Sequence, residues 1–153
     1  MPIQSSWRPV RVLLGLLLRR PIVGTCLIPV LPDGTVVLIR RRDSGLWGLP
    51  GGLVDWGEDV PTAARRELME ETGLVASTMG RLVGVYSEPE RDRRFHSVCV
   101  VIEIKVTGIP TIHDPAEVLA VKAFSFEALN DLDLAHDHIR HIQDYLANKT
   151  VLS

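Results

Sequence analysis

The sequence predicts an α+β domain in which strands and helices share one core. Three observations carry that expectation. Two apolar runs, Gly24 to Leu31 and Thr35 to Arg41, bracket the turn-forming Pro32-Asp33-Gly34, which is a hairpin signal. A charged stretch from Val60 to Thr72 carries both a helix start and a helix stop. Further strand-like and helical runs follow it within 153 residues, enough for one compact domain and too few for two ordinary ones.

In chain order, the first segment is WRPVRVLLGLLLRRP, Trp7 to Pro21. Its apolar core, Val12 to Leu18, is far shorter than the roughly 20 residues of a spanning helix. No small-residue cleavage site follows, so neither a transmembrane segment nor a signal peptide is expected. Val10, Leu13, Leu14, Leu17 and Leu18 recur at helical spacing. Residues 1–21 are therefore expected as a helical extension packed on the domain at 22–153 or on a second copy, which leaves a homodimer open. Peripheral membrane contact through Arg8, Arg11, Arg19 and Arg20 is the lesser alternative. After the hairpin comes the helix at Val60 to Thr72. Strands are then expected at Arg81 to Ser87, Ser97 to Val106 and Val118 to Phe124, and helical turns at Phe126 to Leu129 and Ala135 to Ala147.

Lys and Arg number 17 against 19 Asp and Glu, a net charge of −2 that offers no global field for DNA or RNA. No nucleic-acid partner is expected. Local basic clusters must do any phosphate binding. Cys26 and Cys99 each lie in an apolar run rather than a CxxC pair, which points to buried free thiols in a reducing, cytoplasmic setting.

The helix carries the chemistry. Asp59 can cap its first turn, Pro61 is tolerated there, and Gly73 supplies a left-handed stop. Glu67, Glu70 and Glu71 fall at i, i+3 and i+4 and share one face. At about 100° per residue, Val60, Ala63 and Ala64 lie on that same side, whereas Thr62, Arg65 and Met69 lie opposite. Three carboxylates are thus expected on the inward, apolar side rather than on a solvated face. Each pair about 6 Å apart would repel by roughly 2–3 kcal/mol at an effective dielectric near 20. Surface ion pairs, worth about 0–1 kcal/mol, would not offset that. A hard divalent cation would, because Mg²⁺ takes carboxylate oxygens.

These residues give a resemblance. Gly52, Glu58, Arg66, Glu67, Leu68, Glu70, Glu71, Gly73 and Leu74 fill the pattern G-x5-E-x7-R-E-U-x-E-E-x-G-U, with U apolar, without a gap. The chain resembles a Nudix hydrolase in that box and in the preceding Leu49-Pro50-Gly51-Gly52. The resemblance implies an α/β/α sandwich with a mixed β-sheet. It also implies hydrolysis of a nucleoside diphosphate linked to another moiety, by water attacking phosphorus. Glu67, Glu70 and Glu71 would bind Mg²⁺ or Mn²⁺ with the Gly52 carbonyl, and Glu58 and Arg66 would fix helix and loop through a salt bridge.

Substrate choice has to come from outside the box. Tyr86 to His96, YSEPERDRRFH, is similar to a segment of Nudix enzymes of the ADP-ribose pyrophosphatase type, with Pro89 sixteen residues after Gly73. It departs from them where Arg94 and Phe95 replace a proline and a small residue. Arg91, Arg93 and Arg94, joined by Arg40, Arg41 or Arg42, can clamp phosphate oxygens. Trp47 is expected to pack, and Trp56 to offer a base-stacking platform. Glu117, in the loop His113 to Glu117, is the first choice for general base, with Glu88 and Glu90 next. His136, His138 and His141 do not share one helical face and read as structural. Three functions follow: ADP-ribose hydrolysis to AMP and ribose 5-phosphate, hydrolysis of a nucleoside triphosphate of the 8-oxo-dGTP type, and non-catalytic sensing of a nucleotide ligand. The acidic set argues against the last.

Overall fold

The computed structural model describes residues 20–92, 95–135 and 137–153. The expected N-terminal helix, Arg93, Arg94 and His136 lie outside the described residues. Strands β1 (Ile22–Val30), β2 (Val36–Arg41), β3 (Trp47–Gly48) and β4 (Gly51–Leu53) precede helix α1 (Val60–Thr72). After it come β5 (Val75–Tyr86), β6 (Ser97–Thr107), β7 (Val118–Phe124), α2 (His138–Leu146) and β8 (Val151–Leu152), with 3₁₀ turns at Pro89–Arg91 and Glu127–Asp131.

One mixed sheet runs β3-β2-β1-β6-β5-β8, with β4 added to β1 and β7 to β2. Its centre is the parallel β1–β6 pair, in register from Ile22↔Ser97 to Val30↔Lys105. Both faces of β1 are covered, which is why its sequence reads as a nearly continuous apolar run rather than an alternation. Cys26, Ile28 and Val30 point into one core with Leu38, Tyr86, Leu129 and Ile142. Leu27 points into the other, with Val37, Ala64 and Leu68 from the α1 side. Helical layers on the two faces make the expected α/β/α sandwich.

The expected hairpin forms at the turn, where β1 and β2 pair antiparallel and the Leu31 N–H donates to the Thr35 carbonyl at 2.9 Å, but the pairing is short. β1 and β2 meet at a single position, Val30↔Val36, after which β2 turns to β7 and β1 to β6. The Pro32-Asp33-Gly34 turn sets the chain reversal, and beyond it the two strands diverge to separate partners. β5 is also longer than the expected Arg81 to Ser87 and begins at Val75. No residue of its first half, 75–80, is buried, and register shifts break the alternation a sequence pattern would need. The last helix starts at His138 rather than Ala135, because Leu134 bridges Trp47 in a β-type pairing closed by the Ala135 N–H on the Trp47 carbonyl at 2.7 Å, which holds the chain out of the helix there. Two-residue and three-residue strands such as β3, β4 and β8 are too short to show a period.

Helix α1 matches its expected span. The Asp59 side chain accepts the Thr62 N–H at 2.8 Å, and Gly73 closes the helix at φ 67°. Ala63, Ala64 and Leu68 are fully buried, and a buried leucine contributes about 2 kcal/mol. That apolar stripe presses α1 on the sheet and aims the neighbouring carboxylates at β4.

Candidate active site

Two glycines bring the Leu49–Leu53 turn against β1 and α1. At Gly51, with φ 152°, a Cβ would overlap the Thr25 carbonyl and stand 2.9 Å from the Cys26 Cα. At Gly52 a Cβ would overlap the Glu67 carboxylate. Backbone can approach that closely only without a side chain.

Arg66 is the hub on the helix side. Its Nε and Nη2 donate to the two Glu58 oxygens, each at 2.9 Å, and Nη1 donates to Glu67 at 2.7 Å and to Glu70 at 3.3 Å. Nη2 also reaches the Leu53 carbonyl at 3.0 Å, which ties the turn to the helix. The Arg66 bonds, helped by the Asp55 N–H, hold Glu58 down to about 2. These carboxylates in turn push the Arg66 guanidinium above its ordinary range.

Glu71 is 5% exposed and accepts one hydrogen bond, from the Gly51 N–H at 2.7 Å. Burial pushes its carboxyl up to about 8, and the nearby Glu67 and Glu117 push the same way. Burial also raises Glu67, against the pull of Arg66. The third acid departs from the helical-wheel expectation: the Glu70 side chain is 53% exposed and points to solvent beside Arg66. Leu68 and Glu71 centre the buried stripe, so Glu70 falls at its edge.

Glu67 and Glu71 face one cleft with Arg41, Gly52 and Glu117. A pair of carboxylates raised by burial, beside a glycine turn that leaves a carbonyl at hand, fits a hard divalent cation. Such an ion would be held by Glu67 and Glu71, with Glu70 at the rim and Gly52 through its backbone.

The cleft continues inward to a pocket of about 140 Å³ between β1, β6 and the start of α2, lined by Thr25, Cys26, Arg91, Asp137 and His138, with Arg41 and Phe95 at the junction. The other residues singled out from the sequence divide clearly. Arg41 lines both cavities and pairs with Asp43 at 2.8 Å. Arg42 and Glu117 share a neighbouring cavity; Arg42 Nε donates to the Pro115 carbonyl at 2.8 Å, and its N–H to that of Glu117 at 2.8 Å. Arg40 points to the opposite, exposed side and bonds the Gly45 carbonyl at 2.9 Å.

Arg91 is committed inside the protein: it donates to Asp137 at 2.9 and 3.1 Å and to the Ser97 hydroxyl at 2.7 Å. Glu88 pairs with Arg140 at 2.9 Å and Ser153 at 3.0 Å, away from both cavities, and Pro89 opens the 3₁₀ turn. Trp56 is fully exposed and lines neither cavity. Trp47 packs edge-on against Phe124 at 5.0 Å. Cys26 and Cys99 are free and buried, as expected. Sequence reading missed Asp137, which lies 46 positions from Arg91, and Phe95, whose place in an arginine-rich loop gave no sign that it lines the cavity.

A sheet-backed helix that turns buried carboxylates toward a glycine turn, beside an arginine-bearing cleft, has the chemistry to hold a hard divalent cation and the phosphates of a ligand. The chain belongs to the Nudix family: the NUDIX domain model matches residues 20–145. It is 40% identical over 121 residues to an ADP-ribose pyrophosphatase of Methanocaldococcus jannaschii, covering 74% of this chain and 67% of the relative. A Bacillus subtilis protein named for 8-oxo-dGTP diphosphatase activity is 33% identical, over 80% of this chain and 78% of its own. Among solved structures, the NUDIX domain of Shewanella oneidensis NrtR complexed with ADP ribose superposes with a TM-score of 0.78 at 25% identity, covering 87% of this chain and 91% of that one. The chain is thus a Nudix hydrolase with ADP-ribose pyrophosphatase relatives, in a family that depends on divalent metal. Among the described residues no helix is long and apolar enough to cross a membrane.

Proposed function

We propose that the protein hydrolyses ADP-ribose to AMP and ribose 5-phosphate, with Mg²⁺ or Mn²⁺ held by Glu67, Glu70, Glu71 and the Gly52 carbonyl. The observation that carries the reading is the continuity of the carboxylate cleft with the inner pocket past Arg41, which leaves room for a moiety on each side of a diphosphate. Similarity to the Methanocaldococcus jannaschii enzyme supports the same substrate. When bound, the ion supplies charge neutralisation on the bridging phosphates and acidifies the attacking water.

The chain's own residues do the rest. Arg66 and Glu58 fix the helix against the turn, so that Glu67 is already oriented before substrate arrives. Arg41 and Arg42 offer guanidinium donors to phosphate oxygens. Glu117 takes a proton from water, in the same cleft as Glu67 and Glu71. Water adds across the P–O–P bond, one phosphate leaving on AMP and the other on ribose.

The Bacillus subtilis relative favours a second reading, a nucleoside triphosphate of the 8-oxo-dGTP type. A panel of ADP-ribose, dGTP, 8-oxo-dGTP, NADH and sugar nucleotides, with products identified, separates the two. ADP-ribose is expected to give the highest kcat/KM; a triphosphate preferred by about tenfold, or about 1.4 kcal/mol, would replace the assignment.

A further inference from the structure

Behind the inner pocket lies a cluster of side chains that diphosphate hydrolysis does not use. One donor atom from each of Cys26, His138 and His141 lies within 4.8 Å of the other two, and all three residues are buried. Cys26 Sγ and His138 Nε2 are 3.6 Å apart. Tetrahedral zinc with ordinary bond lengths to sulfur and nitrogen spans about 3.5 Å between two such ligands. His141 is 0% exposed, and its Nδ1 has no hydrogen-bond partner among the described residues. Its Nε2 stands 3.1 Å from Asp137 Oδ2, a contact that draws the ring proton to Nε2 and leaves the Nδ1 lone pair without a use. Asp137 is itself anchored by Arg91. A carboxylate behind a histidine is the usual support for a metal-binding imidazole.

We propose that Cys26, His138 and His141 form a second metal site, for a thiophilic divalent ion of the zinc type, and that its occupancy turns the hydrolase down. Thiolate and imidazole select such an ion over Mg²⁺, which prefers the oxygen ligands of α1. Entry is through the inner pocket, which Cys26 and His138 both line.

The coupling to the active site runs through His138. Its Nδ1 accepts the Leu49 N–H at 2.9 Å, so the neutral ring carries its proton on Nε2, facing Cys26. A metal on Nε2 displaces that proton to Nδ1, and the Leu49 N–H loses its acceptor. A buried donor left unpaired costs about 1–3 kcal/mol. Two residues on, the Gly51 N–H holds Glu71. Zinc binding and an intact glycine turn therefore oppose each other.

The test uses the full chain, reduced and stripped of metal, with Co²⁺ as the probe. Wild type should take up Co²⁺ with a thiolate-to-cobalt absorption band that added Zn²⁺ removes, whereas Co²⁺ on the α1 carboxylates has no sulfur band. Cys26→Ser should lose the band, and Asp137→Asn should weaken binding by about tenfold or more. His138→Asn offers an amide oxygen to the Leu49 N–H but no nitrogen to the metal; it should melt near wild type without binding Co²⁺ through sulfur. For inhibition, each variant is compared with its own zinc-free rate at saturating Mg²⁺, and Cys26→Ser should need about tenfold more Zn²⁺ than wild type. A folded wild type with no sulfur band overturns the proposal. So does zinc inhibition that is equal in Cys26→Ser and relieved by excess Mg²⁺, which assigns the zinc to Glu67 and Glu71. Inhibition rests on the hydrolase reading but the absorption band does not, so failure of either is recognised separately.

Discussion

Glu70 and Glu71 are neighbours in the chain and opposites in environment, one 53% exposed by side chain and the other a 5% exposed residue. That difference separates the effects of removing their charges. Glu71 has its folded pKa raised to about 8 from 4.5, so the folded state holds a proton that the unfolded state has released. Stability from this group is present below the unfolded value and is lost as pH rises from about 4.5 through about 8. The loss approaches about 3–5 kcal/mol at its limit. Metal-free protein is therefore expected to melt at progressively lower temperature across that window, and Glu71→Gln should flatten the profile. Glu70→Gln keeps the buried Glu71 and should keep the decline, although both variants should lose most activity. Melting curves with and without Mg²⁺ check both statements; a flat wild-type profile would refute the first. A positioned general base contributes about 10²–10⁴ in rate, so Glu117→Gln should lower kcat by about a hundredfold or more with little change in KM or metal affinity. If Glu88→Gln or Glu90→Gln collapses kcat instead, the base belongs to the Pro89 loop.

At the scale of elements, the turn through β4 and helix α1 act as one unit because a glycine sits where they touch. Gly52→Ala would put a methyl group into the Glu67 carboxylate. The helix should survive, since its cap at Asp59 and its buried Ala63, Ala64 and Leu68 lie elsewhere. The expected result is a loss of Mn²⁺ affinity, read by electron paramagnetic resonance, far larger than the loss of melting temperature. Equal losses in both would mean that the turn only supports the fold. Helix α1 was legible in the sequence because its whole logic is local: cap, apolar stripe, carboxylate spacing and left-handed stop fall within Asp59 to Gly73. Glu70 was misjudged for a physical reason, since a wheel gives directions around an axis but not where the neighbouring sheet ends.

For the whole molecule, the arginine segment shows what distance along the chain conceals. Arg91 was expected to clamp phosphate, yet Asp137 and Ser97 engage it inside the fold, and it joins the 3₁₀ turn to the start of α2. Breaking a largely buried pair by removing one partner costs about 3–5 kcal/mol, so Arg91→Ala should lower the melting temperature markedly as well as weaken substrate binding. A variant with raised KM and unchanged melting would restore the clamp reading. By itself the sequence determined the α1 helix, the spacing of the carboxylates on it and the burial of both cysteines, because each depends on residues close together or on polarity alone; the Glu58–Arg66 tie came from the Nudix resemblance. Only the tertiary structure decided that β1 runs beside β6 over its whole length and meets β2 only at Val30↔Val36, that Glu117 reaches the carboxylate cleft while Trp56 stays in solvent, and that Cys26 meets His138 and His141. Those outcomes rest on which surfaces the sheet buries against each other, and residues as far apart as Cys26 and His138 become neighbours only when that burial is complete.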